Sequence, residues 1–109
     1  MIFEIEVSEQ ADADLRSIYE YIAFELQSLK NADGQLDRLE ESIMSLDQMP
    51  ERFRLYENEP WHSRGLHLMP VDNYCVLYIA DKQKSLVTVI RVMYSARDID
   101  AELRKHIKL

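Results

Sequence analysis

The stretch "SLVTVIRVMY", residues 85 to 94, constrains the fold more than any other part of this chain. It is rich in β-branched residues and apolar on both faces for most of its length, so it reads as a strand buried on two sides in the middle of a sheet. Before it lie "GLHLMPV" and "YCVLYIA", two further apolar runs flanking Asp72-Asn73, a two-residue link suited to a tight hairpin. "DKQK" supplies the next turn. Three consecutive antiparallel strands follow from this pattern.

The first half of the chain has a different period. Residues 2 to 7, "IFEIEV", alternate apolar and acidic as a half-buried strand does. Ser8 offers an N-cap, and Ala11, Leu15, Ile18, Tyr19, Ile22, Leu26 and Leu29 form one helical stripe, predicting a helix from about Glu9 to about Leu29. After a break expected around Lys30 to Gly34, the stripe resumes at Leu36, Leu39, Ile43 and Leu46 until Pro50 stops it. Two amphipathic helices so closely linked should pack as an antiparallel hairpin. "ERFRLYENEPWHSRG", residues 51 to 65, has no clean period and reads as a loop with room for a short extended piece, in which Trp61 lies over the core. Asp98 caps a last short helix whose apolar face is Ile99, Leu103 and Ile107. The expected order is β-α-α-β-β-β-α, an α+β domain spanning residues 1–109 with the hairpin packed on an antiparallel sheet. The first strand should pair beside the C-terminal one, since alone it could not hold its register.

Much chemistry is excluded by what the chain lacks. Gly34 and Gly65 are its only glycines, so there is no Gly-rich phosphate loop. His62, His67 and His106 have no pairwise metal spacing, and no metal or other cofactor is expected. Cys75, the single cysteine, sits in an apolar strand as an inert thiol and fits a reducing compartment. The acidic start "MIFEIEVSEQ" is unlike a signal peptide, and no apolar window of about 18 residues occurs, so a cytoplasmic protein without a membrane contact is expected. Net charge is -7, which disfavours direct binding to free nucleic acid. Residues 1–50 hold 3 Lys/Arg against 12 Asp/Glu, a balance of -9, and the rest hold 10 against 8, a balance of +2.

What remains is a cationic and aromatic group: Arg52, Arg54, Tyr56, Trp61, His62, Arg64, His67, Arg91, Tyr94 and Arg97. Arginines with Tyr or His suit metal-free RNA cleavage, the first stabilising charge and the second moving protons. They equally suit the hot spots of a protein interface. Tyr94 alternates with Ile90 and Val92, which places it on a buried face, against the alternative of functional exposure. Arg91 falls on the opposite face, where a structural ion pair competes with a functional contact.

"ADADLRSIYEYIA", "LEESIMSLDQMP", "RGLHLMPVDNYCVLYIAD" and "VTVIRVMYSARD", in this order and spacing, resemble the RelE/ParE superfamily of toxins from type II toxin-antitoxin systems. The resemblance runs through nearly the whole chain and implies the same topology. It also implies a cognate antitoxin as partner, whose C-terminal segment wraps the helical hairpin and sheet by adding a helix or a strand. The RelE-like branch cuts messenger RNA in the ribosomal A site, whereas the ParE-like branch poisons DNA gyrase without chemistry of its own. In the nuclease branch a catalytic arginine follows the first tyrosine of the strand resembling "YCVLY"; this chain has Cys75 there. That branch also places lysines on the strand resembling "GLHLMP", where this chain offers His67. Arg97 and Tyr94 are what the resemblance leaves as a catalytic pair if the chain is a nuclease, and "RVMYSARD" looks closer to the ParE branch. Arg64, His67, Arg91, Tyr94 and Arg97 are the expected target-binding residues. A gyrase inhibitor is the first expectation, a ribosome-dependent nuclease the alternative, and a non-toxic binding relative the third.

Overall fold

The computed structural model describes residues 2–106. Strand β1 (Glu4–Val7) leads into helix α1 (Glu9–Glu20), a π-helical turn (Tyr21–Glu25) and helix α2 (Leu29–Met44). Short 3-10 turns at Ser45–Asp47 and Pro50–Arg52 precede β2 (Leu66–Val71), β3 (Tyr74–Asp81), β4 (Leu86–Tyr94) and α3 (Ile99–His106). Ile107, expected on the face of the last helix, lies outside the described residues, as does the side chain of His106.

The four strands form one sheet in the order β1-β4-β3-β2, so the apolar β4 is internal and β1 lies beside it. The expectation of an all-antiparallel sheet needs correction, because β1 runs parallel to β4, with Glu4 opposite Leu86 and Val7 opposite Val89. Alternation in the sequence reports which face is buried but not strand direction, which the connection decides. Here α2 returns the chain to the end where β1 began, and the Asp47 carbonyl accepts from Phe3 N at 2.8 Å. After the 53–65 segment and two hairpins, β4 therefore rises alongside β1.

Both sheet faces are covered, which is why β3 and β4 lack a polar side. Against one face Ala11, Leu15, Leu39, Ile43 and Leu46 of the helices and their following turn meet Val76, Tyr78, Val87, Val89 and Val92. Against the other, Tyr56 and Trp61 from the long connection and Leu103 of α3 close over Leu66, Leu68, Cys75, Leu77 and Met93. Trp61 is thus a lid, as read from the sequence. A short extended piece is present in the connection as well, with Leu55 bridged to His67 on the outer edge of β2.

The helix boundary differs from the expectation. The break expected at Lys30 to Gly34 falls inside α2, and the chain instead turns at Leu26–Ser28. Gln27 adopts a left-handed φ of 54°, and Ser28 Oγ caps α2 by accepting from Asn31 N at 3.2 Å. The wider π turn also shifts the phase of the stripe: Ile22 and Ala23 are buried against Ala32, and Leu26 and Leu29 are left facing solvent.

A second irregularity decides the fate of Arg91. Leu77 pairs with Arg91 while Tyr78 pairs with Val89, so Ile90 is an extra residue, a β-bulge. Ile90 packs on the α3 side and Val92 on the hairpin side, so the single alternation through Ile90, Val92 and Tyr94 does not hold. Here β1 has run out, and α1 takes its place along the β4 edge. Ser8 N donates to Val89 O at 3.0 Å, and Ser8 Oγ both donates to Ile90 O at 2.9 Å and accepts from Ala11 N at 3.0 Å. One turn on, Asp14 accepts from Arg91 Nε at 2.7 Å, Arg91 Nη2 at 3.0 Å and Val92 N at 2.9 Å. Arg91, 3 % exposed, also donates to Glu102 O of α3 at 3.3 Å. It is a bidentate buried pair that joins α1, β4 and α3.

Two stability measurements check this architecture. In denaturant melts Leu39→Ala should cost about 2–5 kcal/mol as a core truncation, while Leu29→Ala stays within about 0.5 kcal/mol as a surface change. Arg91→Ala and Asp14→Ala should each cost about 3–5 kcal/mol, because each strands the other partner's charge in the interior. Equal and small losses for all four would contradict the packing described.

Candidate functional site

The helical turn, the β2–β3 turn and the end of β4 meet at one end of the sheet. Gln35 Nε2 and Arg38 Nε of α2 donate to Asp72 Oδ2 in the β2–β3 turn at 3.0 and 2.8 Å. Those bonds, which Arg38 and Gln35 make, hold the Asp72 carboxyl below the usual carboxylate range. Asp72 itself takes a φ of 54°, the left-handed geometry that a two-residue hairpin link demands. On the other side of that turn, Ser95 N donates to Asn73 O at 2.9 Å. The hairpin register places Tyr74 opposite Tyr94, and their rings meet edge to face with centroids 5.9 Å apart. Burial raises the Tyr74 phenol, with smaller contributions from the neighbouring Tyr94 and Tyr21 hydroxyls.

Of the five residues expected to contact a target, this end of the sheet brings two together. Tyr94, the last residue of β4, is 48 % exposed rather than buried. Arg97 is exposed in the following turn, its backbone N bonded to Tyr94 O at 3.0 Å and its guanidinium 3.4 Å from Glu102 Oε1. Arg64 is exposed elsewhere, over the Trp61 ring at 5.9 Å. Arg91 and His67 are in the interior. Arg91 is neutralised by Asp14, and His67 is stacked on Tyr78 at 5.2 Å while its Nδ1 donates to Phe53 O at 2.8 Å. Arg91 therefore takes the structural alternative that the sequence left open.

The other polar groups on the α3 side are likewise engaged in holding the fold. Tyr56 Oη donates to Asp100 Oδ1 at 2.6 Å, and Asn58 Nδ2 to Asp100 Oδ2 at 2.7 Å, fastening the long connection to the first turn of α3. Burial, then the bond to Asp100, pushes the Tyr56 phenol up to about 12. Arg52 donates to Gln48 O at 2.7 Å and Met49 O at 3.2 Å. Cys75, on the strand facing α3, is almost fully buried, and burial pushes its thiol up to about 11. At neutral pH it is neither a cation nor a thiolate.

Sequence reasoning missed Asp14, Tyr74, Tyr21 and Phe24. Tyr74 could have been found by pairing the strands outward from the Asp72-Asn73 turn; the others depend on the bulge and the π turn, which leave no pattern in the residues. Among the described residues no three His, Cys, Asp or Glu are grouped to hold a metal ion. Nor is any helix of these residues long and apolar enough to cross a membrane.

Comparison with known proteins adds the lineage. The family described as "ParE toxin of type II toxin-antitoxin system, parDE" matches residues 5–99. No curated protein matches the chain. Solved structures similar to it include a chain of the chromosomal ParDE toxin-antitoxin system from P. aeruginosa, with TM-score 0.69 and 16% identity, covering 85% of this chain and 96% of that one. A mutant of the E. coli toxin RelE in the free state is similar with TM-score 0.66 and 17% identity, covering 99% and 100% of the two chains. A chain of the RelBE2 toxin-antitoxin complex from Mycobacterium tuberculosis follows with TM-score 0.64 and 19% identity, over 86% and 99%. At these identities the structures show a shared fold, and the family match across residues 5–99 shows the lineage: the chain belongs to the ParE family within the RelE/ParE superfamily, the toxins of type II toxin-antitoxin systems.

Proposed function

We propose that this toxin arrests growth by binding DNA gyrase in the cytoplasm rather than by cutting RNA, and that a cognate antitoxin neutralises it by direct contact. The observation that carries the reading is Cys75. At the strand position where the nuclease branch is expected to hold an arginine, this chain has a buried, protonated thiol that can neither stabilise the charge of a phosphorane nor take a proton from the attacking hydroxyl. His67, on the strand where that branch has lysines, is stacked against Tyr78 and bonded to backbone. Tyr94 and Arg97 are exposed, but Arg97 faces Glu102, and a lone Tyr–Arg pair lacks the second cation that phosphoryl transfer calls for. The acidic balance of the chain adds repulsion from ribosomal RNA. An exposed tyrosine and arginine are well suited to a protein contact, where such side chains supply most of the binding energy.

An antitoxin partner is supported by the family and by relatives whose structures are described as ParDE and RelBE toxin-antitoxin assemblies. Purified toxin with gyrase, ATP and relaxed plasmid provides the test. Supercoiling should stop, or cleaved DNA should be trapped. Tyr94→Ala and Arg97→Ala should each weaken inhibition by about 10-fold or more, as interface truncations do, and Cys75→Ala should leave it unchanged. Unaffected gyrase, together with ribosome-dependent message cleavage that falls by about 10²–10⁴-fold in Tyr94→Phe, would overturn the reading in favour of a nuclease. Inactivity in both assays would mark a non-toxic relative.

A further inference from the structure

An exposed tyrosine at the end of a strand is ordinarily free to change rotamer, and a side chain that must settle into one rotamer on binding loses affinity by doing so. Tyr94 is such a residue, the last of β4 and 48 % exposed. Its neighbours supply the ordering in advance.

The backbone around Tyr94 is held on both sides. Ser95 N donates to Asn73 O at 2.9 Å and Arg97 N to Tyr94 O at 3.0 Å, so the chain leaves β4 in a closed turn that fixes Arg97 relative to Tyr94. The facing hairpin is itself tied down, because Gln35 and Arg38 of α2 hold Asp72.

The side chain is held by Tyr74. The register sets the two residues directly opposite, which puts both rings on the sheet face that the helices cover. Tyr74 packs against the core that contains Val76 and Val92, whereas Tyr94 remains half in solvent. Their rings meet at 72° with centroids 5.9 Å apart, the edge-to-face arrangement that the aromatic quadrupole favours. Because one ring is anchored and the other is not, the contact is directional: Tyr74 constrains Tyr94. A third tyrosine stands at this end as well. Tyr21 is 55 % exposed on the π turn, with Phe24 at 66 %, and its hydroxyl, like that of Tyr94, adds to the effect of burial on the Tyr74 phenol. Tyr74 therefore neighbours tyrosines from two other elements.

We propose that Tyr74 is a positioning residue for the target contact: it holds the Tyr94 ring in the orientation that the target meets, and so sets the affinity without touching the target itself. This inference rests on the gyrase reading above and extends it to a residue behind the contact surface. The contact uses the ring of Tyr74 and not its hydroxyl, so phenylalanine can replace it.

The test measures, with the full chain, the toxin concentration that half-inhibits supercoiling. Tyr74→Leu should raise it about 3- to 10-fold, the worth of one edge-to-face pair, and Tyr74→Phe should restore it. In a Tyr94→Ala background Tyr74→Leu should cost nothing further, because its effect passes through the Tyr94 ring. A loss that persists in that background would overturn the proposal, since it would mean direct contact with the target or damage to the fold. Unchanged inhibition by Tyr74→Leu would overturn it too, as would a Tyr74→Phe variant as weak as Tyr74→Leu. Should melting show that Tyr74→Leu does not fold, NMR of the free wild-type toxin tests the same geometry. Cross-relaxation between the two rings and single-rotamer Hα–Hβ couplings at Tyr94 are expected, and rotamer-averaged couplings would overturn the proposal. Wild-type toxin that leaves gyrase untouched would instead overturn the gyrase reading, and the proposal with it.

Discussion

The buried pair between Asp14 and Arg91 is the interaction on which the rest of the structure depends. β4 is longer than its parallel neighbour β1, and beyond Val89 it would present an unpaired edge inside the domain. Asp14 closes that edge with a carboxylate instead of a strand, accepting from Val92 N as well as from the Arg91 guanidinium. A charge so far from water needs nearly all its hydrogen-bonding capacity met, and Glu102 O supplies a further acceptor from α3. One side chain thus sets the approach of three elements, and the bulge at Ile90 accompanies its turn toward them. Whatever the protein does at the end of β4 is done on a scaffold fixed from below by this pair.

That arrangement explains which parts of the molecule could be read from residues alone. Strand and helix types followed from period and capping: Ser8, Asp72-Asn73 and Asp98 all act as their side-chain chemistry suggests, with Asp98 Oδ1 accepting from Ala101 N at 3.1 Å. The centrality of β4 followed from its lack of a polar face. Direction was not legible, because β1 would show the same alternation whether it ran parallel or antiparallel. Nor was the hairpin tip. Gly34 outweighed Ser28 as a punctuating residue, although a serine before Asn31 is a sound cap and a glycine within α2 is tolerated at modest cost. At the site, burial separated residues that had looked equivalent. Arg91 and Arg97 are six positions apart, but β4 ends at Tyr94: Arg91 lies within the strand, ion-paired with a helix distant in sequence, and Arg97 lies in the exposed turn beyond it.

The molecule is electrostatically divided in a way that its overall charge hides. The helical half is acidic and carries the exposed apolar tip; the second half, nearly balanced, carries Tyr94 and Arg97. The two meet where α2 holds Asp72. Exposed aromatic and arginine side chains at such a junction are suited to a protein contact. The interior thiol at Cys75 and the stacked imidazole at His67 fit this view, since both residues contribute to the core and neither faces solvent.

The central claim is that Arg91 is scaffold and that function resides in what it holds in place. The most direct measurement is gyrase inhibition by the Asp14→Asn/Arg91→Gln double variant, in which a neutral amide pair replaces the ion pair and a side-chain oxygen at position 14 can still accept from Val92 N. The account predicts a folded protein that still inhibits supercoiling at close to the wild-type concentration. A double variant that melts like the wild type yet leaves gyrase untouched would show that Arg91 acts beyond the scaffold, and would contradict it.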